Sequence, residues 1–464
     1  MMAAPRPDRA TTMNLTIASL DPTEVWTHFD TLCAIPRMSK HEAALRGEIV
    51  DWARARGLAS QVDAAGNLVL RKPATPGREH LPGVILQAHL DMVCQKNRGT
   101  DHDFTRDPIR PVLDGGWLVA RDTTLGADNG IGVALALAAL ADARLAHPAL
   151  EVLLTVDEEA GMGGARALTA GSLLGRRLIN LDTEEWGEFY LGCAGGMDVV
   201  VHHPGGREPR AAGWPVWRLE VSGLQGGHSG IDIHLGRGNA IRLLAETVHA
   251  LATAHGAQLI TLEGGTARNA IPREAQACIA LPPEAGVALS GLVNDTLARW
   301  HEAYAGVDES LDLRAGRIEA PSATVMTADA QAAVLDFLRA APNGVQAWSG
   351  DFDGVVETSL SLGVARIDES GCEAVFMLRS LRDAHADALA GSLCATAAAH
   401  GFASRRVEPY PGWRPDPGSA LLAAARTVYR RRYGHEAGLR VIHAGLECGL
   451  LAASHPGLDM LSFG

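Results

Sequence analysis

The stretch Val84-Ile85-Leu86-Gln87-Ala88-His89-Leu90-Asp91 runs from an apolar strand directly into an imidazole and a carboxylate. Two further apolar runs end in a similar way. Residues 151–156 lead into Asp157-Glu158-Glu159, and residues 178–181 lead into Asp182. In open α/β sheets, ligands bind beyond the carboxyl ends of the strands. The three stretches therefore predict an α/β domain whose sheet gathers histidine and carboxylate side chains at one edge.

The turn that precedes the long apolar run 130–141 adds a further carboxylate. It reads Leu125-Gly126-Ala127-Asp128-Asn129-Gly130, and we expect the run after it to form a buried helix. One imidazole with several carboxylates suits Zn2+, with Co2+ or Mn2+ as alternatives. Two ions that share a carboxylate, about 3.5 to 4 Å apart, are a common hydrolytic arrangement. The residues therefore predict a metal-dependent hydrolytic centre.

Similar residue types elsewhere in the chain have a structural interpretation. His28-Phe29-Asp30 repeats the His-x-Asp spacing, but it lies in a helical pattern with Val25 and Leu32 on the apolar face. Glu184-Glu185 repeats the glutamate pair inside a polar turn, where we expect solvated side chains. His89-Leu90-Asp91 carries more weight because it directly follows an apolar strand and is joined by other acidic segments.

Chemistry assigns roles to part of this set. A metal-binding histidine needs its second ring nitrogen held by a carboxylate or carbonyl, and Asp91 is two residues from His89. Consecutive side chains point in different directions, so we do not expect Glu158 and Glu159 to bind the same metal. One of them binds a metal, and the other accepts a proton from water. The spacing alone leaves open which is which.

Composition excludes several classes of function. The 464 residues are 47% hydrophobic and 20% charged, which predicts a globular chain of two domains or of one domain with a large insertion. A net charge of −13 argues against the broad basic surface that nucleic-acid binding requires. No run reaches about 18 apolar residues, so we expect no membrane span. The seven scattered cysteines form no CxxC pair, which favours a reducing, cytoplasmic location.

The pattern of helical and apolar segments divides the chain into three blocks. Up to about residue 196, helical patterns alternate with short apolar runs, as in βαβ layers. Amphipathic strands and helices follow from about 214 to 411, in two α+β parts. In the last block, helical patterns again alternate with short apolar runs, with a helix expected over 419–433 and a strand over 458–462. The N-terminal residues lack the apolar core of a signal peptide, so we expect 1–19 to be a disordered extension.

Six segments carry a resemblance to one enzyme family. They are QAHLDMV at 87–93, TTLGADNGIG at 123–132, EEAG at 158–161, GGHSG at 226–230, RNAIPRE at 268–274 and IHAGLECG at 442–449. With these segments the chain resembles the M20 metallopeptidases and, within them, the aminoacyl-histidine dipeptidase group, also known as cytosol non-specific or Xaa-His dipeptidases. The matches occur in order over nearly the whole chain.

The resemblance implies a fold and a division into domains. The fold is α/β, with a zinc-peptidase catalytic domain whose central mixed sheet is flanked by helices, interrupted by an α+β lid domain. On this sequence the catalytic domain would comprise 20–200 and 412–464. The lid would comprise 201–411 and consist of two α+β parts.

The resemblance also implies two divalent metal ions and their ligands. His89 and Asp182 would bind one ion. Asp128 would bridge the two, and Glu159 would bind the other. The family therefore resolves the order of the two glutamates that spacing left open.

Catalytic and substrate-binding residues follow from the same resemblance. Asp91 would orient His89, and Glu158 would be the general base. A peptide carboxylate suits the forked guanidinium of an arginine, and an oxyanion needs a donor such as histidine. The substrate-binding residues implied in this way are His228, Asn269, Arg379, His443 and Glu447.

The implied activity is the metal-dependent hydrolysis of unblocked dipeptides, with Xaa-His and broader specificity. In related enzymes the histidine that corresponds to His228 often enters from the other subunit, so a homodimer is implied, with a small peptide as substrate. Two alternatives remain open. One is a truncated, weakly active or non-catalytic dipeptide-binding relative, and the other is an N-acyl amino acid deacylase or carboxypeptidase of the same fold.

The sequence departs from the family's pattern at its end. The family continues beyond the strand that matches 458–462 with a segment whose histidine is the remaining ligand of the second metal. Here the last residue is Gly464, so 412–464 is expected to be truncated and the second metal site to lack its C-terminal histidine. His455 is a poor substitute, because it lies on the near side of the last strand.

Overall fold

The structure is a computed structural model that describes residues 17–464. Its α-helices, numbered along the chain, are α1 Thr23–Ala34, α2 Ala43–Ala55, α3 Ala127–Ala141, α4 Gly163–Ala167, α5 Ala240–His255, α6 Pro283–Ala303, α7 Ala328–Ala340, α8 Asp383–Ala399, α9 Ala420–Tyr433 and α10 Glu447–Ser454. Short 3-10 helices cover Ile17–Ser19 and Ile233–Leu235. Within the described part of the chain, no helix is long and apolar enough to cross a membrane.

The strands follow the same numbering. They are β1 Ala59–Val62, β2 Leu68–Lys72, β3 Val84–His89, β4 Pro111–Asp114, β5 Trp117–Ala120, β6 Leu150–Thr155, β7 Arg177–Asn180, β8 Glu188–Cys193, β9 Gly195–His203, β10 Arg207–Pro209, β11 Val216–Ser222, β12 Gly227–His228, β13 Gln258–Gly264, β14 Ala270–Ile271, β15 Ala275–Ala280, β16 Asp312–Ile318, β17 Thr324–Met326, β18 Gly344–Trp348, β19 Val356–Asp368, β20 Gly371–Ser380, β21 Ala403–Tyr410, β22 Gly438–Ile442 and β23 Asp459–Ser462.

These elements form two compact units. Unit 1 contains the described residues up to Leu191 together with Asp416–Leu439 and Leu451–Gly464, and unit 2 contains Gly192–Pro415 and Arg440–Leu450. Unit 1 is therefore interrupted in sequence by unit 2. The predicted fold class is confirmed: an α/β unit with a mixed sheet is interrupted by a second unit of α+β character.

Parallel strands form the centre of the sheet in unit 1. The strand order is β1-β2-β6-β3-β7-β23-β8-β22. Strands β6, β3, β7 and β23 pair in parallel, whereas β1 and β2 add an antiparallel edge next to β6. All six residues of β6 are buried, as expected for a parallel strand covered on both faces.

Helix α3 supplies the crossover that the parallel β3–β6 pair requires. Its Ala- and Leu-rich sequence packs against β3 and against α1. Residues Val133, Leu137 and Leu140 are at most 3% exposed and belong to the main apolar core of this unit. The crossover brings the chain from the end of β3 to the start of β6, and Asp128 lies in the first turn of α3, where the backbone angles of Asp128 and Asn129 are not helical.

Unit 2 contains a nine-stranded antiparallel sheet. Its order is β16-β11-β15-β13-β19-β20-β9-β21, and β18 pairs with β19. Burial alternates along part of β11, which is typical of a sheet with one face on a core. Helices α5, α6, α7 and α8 contribute to a single large apolar cluster with the strands.

The unit boundaries differ from the sequence-based division. The expected boundary at residue 200 falls inside β9, which pairs with β20 on one side and β21 on the other and so belongs to unit 2. Arg440–Leu450 groups with unit 2, although 412–464 was expected to be one part of the catalytic domain. Ile17–Ser19 form a 3-10 helix with Ile17 buried, so these three residues are not part of a disordered extension. Residues 1–16 of that expected extension lie outside the described residues.

Some elements of unit 2 carry a weak sequence signal. Helix α6 begins at Pro283, since proline is well tolerated in the first turn of a helix. Helix α8 was not predicted at all. It is rich in alanine and lacks a clear apolar stripe, so hydrophobic periodicity does not reveal it.

A pair of substitutions tests the core of unit 2. Leu244 in α5 is fully buried, and its replacement by alanine should destabilise the protein by about 2 to 5 kcal/mol. Val287 in α6 is 87% exposed, so Val287→Ala should change stability by less than about 0.5 kcal/mol. Urea unfolding followed by circular dichroism would measure both changes. Equal effects of the two substitutions would contradict this packing.

Candidate active site

Three neighbouring parallel strands end next to the candidate metal-binding and catalytic residues. Strand β3 ends at His89, β6 is followed by Asp157-Glu158-Glu159, and β7 is followed closely by Asp182. The strands are adjacent in the order β6-β3-β7, so their carboxyl ends meet at one sheet edge. Ligand atoms of two sets of residues each lie within 4.8 Å of one another there. The sets are His89 with Asp128 and Asp182, and His89 with Glu158 and Glu159.

The two ring nitrogens of His89 have different neighbours. Nδ1 lies 3.1 Å from the carbonyl oxygen of Asp91, which can only accept a hydrogen bond. Nδ1 therefore carries the proton in the neutral ring, and Nε2 offers a lone pair. Nε2 lies 3.0 Å from Asp128 Oδ1 and 3.3 Å from Asp182 Oδ1. This is the nitrogen that faces the carboxylates available to a metal.

The carboxylate of Asp91 fixes the loop that follows β6. It accepts hydrogen bonds from the backbone N–H groups of Glu158 and Glu159, at 3.0 and 3.1 Å. Ser39 Oγ donates a third bond at 2.7 Å. Burial acts to raise the pKa of Asp91, but its interactions with His89, Ser39 and the Glu158 N–H outweigh this and bring that pKa to about 2. Asp91 is therefore an ionised, fully buried connection between two of the site's loops.

The loop of Asp128 is tied to the loop of Asp182 through a neighbouring amide. The side chain of Asn129 donates to the Leu181 carbonyl at 2.7 Å and also to the Asp182 carboxylate. Asn129 is 2% exposed, whereas the Asp128 side chain is 47% exposed. The buried amide thus orients Asp182 while Asp128 stays open to a ligand.

Sequence reasoning missed several residues that support this site. Glu42, at the start of α2, accepts a hydrogen bond from the Asp157 N–H at 2.9 Å. Asn67 donates to the Gly164 carbonyl at 2.9 Å, on the far side of the same loop. Together with Ser39 and Asn129 they are polar residues that are mostly buried. A polar residue between apolar runs gives the same signal as an ordinary loop or helix cap, so the sequence did not distinguish them.

The electrostatics of the cluster favour a bound cation. Burial and the charges of Asp128, Asp91 and Asp182 raise the pKa of Glu159 to about 7, against a smaller lowering effect of His89. Burial also raises the pKa of Asp182. Glu159 Oε1 is buried and has no hydrogen-bond partner among residues 17–464. Crowded carboxylates with an unpartnered oxygen and a histidine lone pair form a donor set that fits divalent metal ions.

Unit 2 contains a second cluster that includes several of the expected substrate-binding residues. Arg379 on β20 is 4% exposed, and its guanidinium donates to Tyr410 Oη at 2.9 Å. Another of its nitrogens lies 3.3 Å from Nε2 of His228. His443 Nε2 lies 2.8 Å from Ser359 Oγ. Burial and the nearby charge of Arg379 lower the pKa of both His228 and His443.

The other two expected substrate-binding residues lie in different environments. Asn269 is exposed, and its carbonyl oxygen accepts a hydrogen bond from the Ser229 N–H at 2.8 Å. Glu447 is the first residue of α10 and is fully buried. Both belong to unit 2, whereas all six metal-binding and catalytic candidates belong to unit 1.

Residues of similar type outside the site make structural contacts. His28 is buried in α1 and stacks edge-on against Trp52, with ring centroids 5.1 Å apart. Glu185 accepts a hydrogen bond from Tyr190 Oη at 2.7 Å. His455 lies at the end of α10, with Nε2 3.1 Å from Ser172 Oγ.

The chain is similar in sequence and fold to several known proteins. A family model described as a peptidase dimerisation domain matches residues 219–307. The chain is 43% identical over 448 residues to a cytosol non-specific dipeptidase of Escherichia coli (strain K12), covering 97% of this chain and 92% of the relative. The solved structure of aminoacylhistidine dipeptidase from Vibrio alginolyticus is 44% identical, with a TM-score of 0.83 and coverage of 97% and 92%. The aminopeptidase PepT from Bacillus cereus ATCC 10987, at 16% identity, a TM-score of 0.50 and coverage of 95% and 89%, shows the fold alone.

The buried histidine of unit 2 predicts a pH dependence of stability. Burial, together with the charges of Arg379 and His228, lowers the pKa of His443 to about 3. Below about pH 6.5 the unfolded chain therefore binds a proton that the folded chain does not, and the free energy of unfolding falls by about 2 kcal/mol by pH 5. The stabilisation linked to the lowered pKa of His443 is fully present above about pH 6.5 and decreases as the pH falls toward 3.

Thermal unfolding at about pH 7.5 and about pH 5 tests this contribution. In His443→Asn the difference between the two melting temperatures should be smaller than in the parent protein. His202→Asn removes an exposed histidine of the same unit and should leave the difference unchanged. An equal pH effect in the parent protein and in His443→Asn would show that His443 is not the group responsible.

Proposed function

The chain belongs to the M20 family of metallopeptidases, and we propose that it carries out the metal-dependent hydrolysis of dipeptides at the edge of the unit 1 sheet. The relatives with 43% and 44% identity are both dipeptidases, and each alignment covers 97% of this chain. The observation that carries the proposal is the convergence of His89, Asp128 and Asp182 beside the Glu158–Glu159 loop. A non-catalytic relative, a deacylase or a carboxypeptidase is not favoured by these similarities.

We assign the metal ligands within unit 1. His89 and Asp182 would hold one ion, Asp128 would be shared, and Glu159 would hold a second ion. His89 Nε2 faces the Asp128 and Asp182 carboxylates, and the pKa of Glu159 is raised; both observations support this assignment, because these groups gain from a nearby cation. We propose Zn2+ as the metal, with Co2+ or Mn2+ as substitutes, because the donor set mixes one nitrogen with several oxygens.

Glu158 is assigned as the general base. When bound, the divalent ions would polarise the substrate carbonyl and lower the pKa of water. Glu158 accepts the proton of the attacking water and returns it to the leaving amine. The Asp91 carboxylate holds the N–H groups of Glu158 and Glu159, and so sets the position of base and ligand together.

Unit 2 is assigned to substrate binding. Arg379 is the candidate partner of the peptide carboxylate, and His228 is the candidate donor to the developing oxyanion. Arg379 Nε and Ser229 Oγ are buried and have no hydrogen-bond partner among residues 17–464. Buried donors are rarely left unpaired, so these atoms support a polar ligand in this region. Asn269, His443 and Glu447 are further candidates.

Assembly and location are also proposed. The match of residues 219–307 to a peptidase dimerisation domain supports a homodimer. All seven cysteines are free, which supports a reducing compartment such as the cytoplasm. The net charge of −13 supports a small peptide rather than a nucleic acid as the partner.

Two neighbouring glutamates give different expected phenotypes. Glu158→Gln should lower kcat by about 10²- to 10⁴-fold while metal content stays at the parental level, because only proton transfer is lost. Glu159→Gln should lower both metal content and activity, because a ligand is lost. Atomic absorption and dipeptide hydrolysis measure the two properties.

Glu48→Gln removes an exposed carboxylate on α2 of the same unit and should keep metal content and activity within about twofold of the parent. Near-parental hydrolysis by Glu158→Gln would remove Glu158 from the role of general base. Parental metal content in Glu159→Gln would remove Glu159 from the ligand set.

Blocking the substrate amino group distinguishes dipeptidase from deacylase activity. The acidic edge of the sheet attracts a free ammonium group, so an unblocked Xaa-His dipeptide should be hydrolysed roughly 100-fold faster than its N-acetyl derivative. The ratio of kcat/KM for the two compounds is the measurement. A preference for the N-acetyl compound would favour the deacylase alternative.

A further inference from the structure

A buried arginine outside all the recognised motifs lies against the metal centre. Arg37 belongs to the connection between α1 and α2, and it is only 2% exposed. Its guanidinium donates to the carbonyl oxygens of Leu90 at 3.0 Å and Asp91 at 2.9 Å through Nη1. Through Nη2 it donates to the carbonyl oxygen of Gly126. These three bonds go to backbone carbonyls of two separate loops.

Both loops carry residues of the proposed metal centre. One contains His89 and Asp91, and the other leads from Gly126 to Asp128. The Asp91 carbonyl that Arg37 binds is the same oxygen that His89 Nδ1 contacts at 3.1 Å. Arg37 therefore acts on the group that sets the tautomer and direction of His89, and it links that group to the loop of Asp128.

Two glycines of the Asp128 segment provide space for this side chain. A Cβ atom at Gly130 would lie 2.8 Å from Arg37 Nη2, closer than non-bonded contact allows. A Cβ at Gly126 would overlap the same nitrogen, and Gly126 also has a φ of 72°. The glycines on either side of Asp128 thus allow the guanidinium to approach the backbone.

The chemistry of the contact requires arginine. A planar guanidinium offers several fixed donors, so one side chain reaches carbonyls on two loops at once. A lysine ammonium is a compact charge on a flexible stem and does not present the same fork. The Arg37 guanidinium also interacts electrostatically with Asp91 and Asp128. A buried cation next to several carboxylates reduces their mutual repulsion.

We propose that Arg37 is a positioning residue of the metal centre, which holds the His89–Asp91 loop against the Asp128 loop through their backbone carbonyls. This inference rests on the proposed metal centre and adds a residue that touches neither substrate nor metal. Partners of metal ligands typically contribute about 10- to 100-fold to metal affinity or activity. Loss of Arg37 should have an effect of that size on metal binding itself.

Two substitutions separate charge from geometry, and a third serves as control. Arg37→Met removes the charge and the hydrogen bonds, whereas Arg37→Lys keeps only the charge. Arg71 is the matched control, because it also makes three hydrogen bonds in unit 1, to Glu151, Gln61 and the Ser172 carbonyl. None of these three partners belongs to the metal centre, so Arg71→Met reports the general cost of losing a partly buried arginine.

The measurements are made on the full chain. Zn2+ affinity is determined by competition with a chromophoric chelator, and the visible spectrum of the Co2+ form reports ligand geometry. The values of kcat and KM for a dipeptide and the melting temperature of the metal-free protein complete the set. We expect Arg37→Met and Arg37→Lys to weaken Zn2+ binding by about 10- to 100-fold, to alter the Co2+ spectrum and to lower kcat more than they raise KM.

The control gives each outcome a clear meaning. Arg71→Met should lower the melting temperature without changing Zn2+ affinity or the Co2+ spectrum. Parental Zn2+ affinity and spectrum in either folded Arg37 variant would overturn the proposal, including the case in which only Arg37→Met fails to fold. If the parent protein itself binds no metal and hydrolyses no dipeptide, the proposed function fails, which differs from a failure specific to the Arg37 variants.

Discussion

The proposed centre depends on one buried carboxylate. Asp91 accepts hydrogen bonds from the backbone N–H groups of Glu158 and Glu159, and its own carbonyl contacts His89 Nδ1. A single residue therefore connects the end of β3 with the loop after β6. Because Asp91 is fully buried, its charge is screened little by water, and its bonds are correspondingly strong. If this carboxylate were lost, the partly buried N–H groups of Glu158 and Glu159 would lack their acceptor.

Side chains around the site hold its loops mainly through hydrogen bonds to the backbone groups of those loops. Glu42 binds the N–H of Asp157, Asn129 binds the carbonyl of Leu181, and Arg37 binds carbonyls of two loops. Glu42 and Arg37 fix the path of a loop through its backbone alone, whereas Asn129 also donates to the Asp182 carboxylate and so orients it. This arrangement reconciles two demands: several carboxylates must stay close together despite repulsion, and each must keep a fixed direction.

Sequence reasoning predicted the parts of the site that have a short-range signal. The strand ends at His89, Thr155 and Asn180 are marked by apolar runs followed by polar residues, and the parallel order β6-β3-β7 brings them together. Spacing alone leaves the roles of Glu158 and Glu159 open. Consecutive side chains point in different directions, but the sequence does not show on which side the metal lies. Arg37, Glu42 and Asn67 were missed, because their importance depends on partners between 53 and 115 positions away in the chain.

The sequence by itself determined the α/β class, the set of ligand types and the family, because these depend on local patterns and on ordered motifs. The tertiary structure alone decided which unit each segment joins. Strand β9 groups with unit 2 because it pairs with β20 and β21, which are far away in sequence, and Arg440–Leu450 groups with the same unit. It also decided which polar side chains are buried against the loops of the metal centre. Burial and hydrogen-bond partners arise only when distant segments meet, so no local pattern contains them.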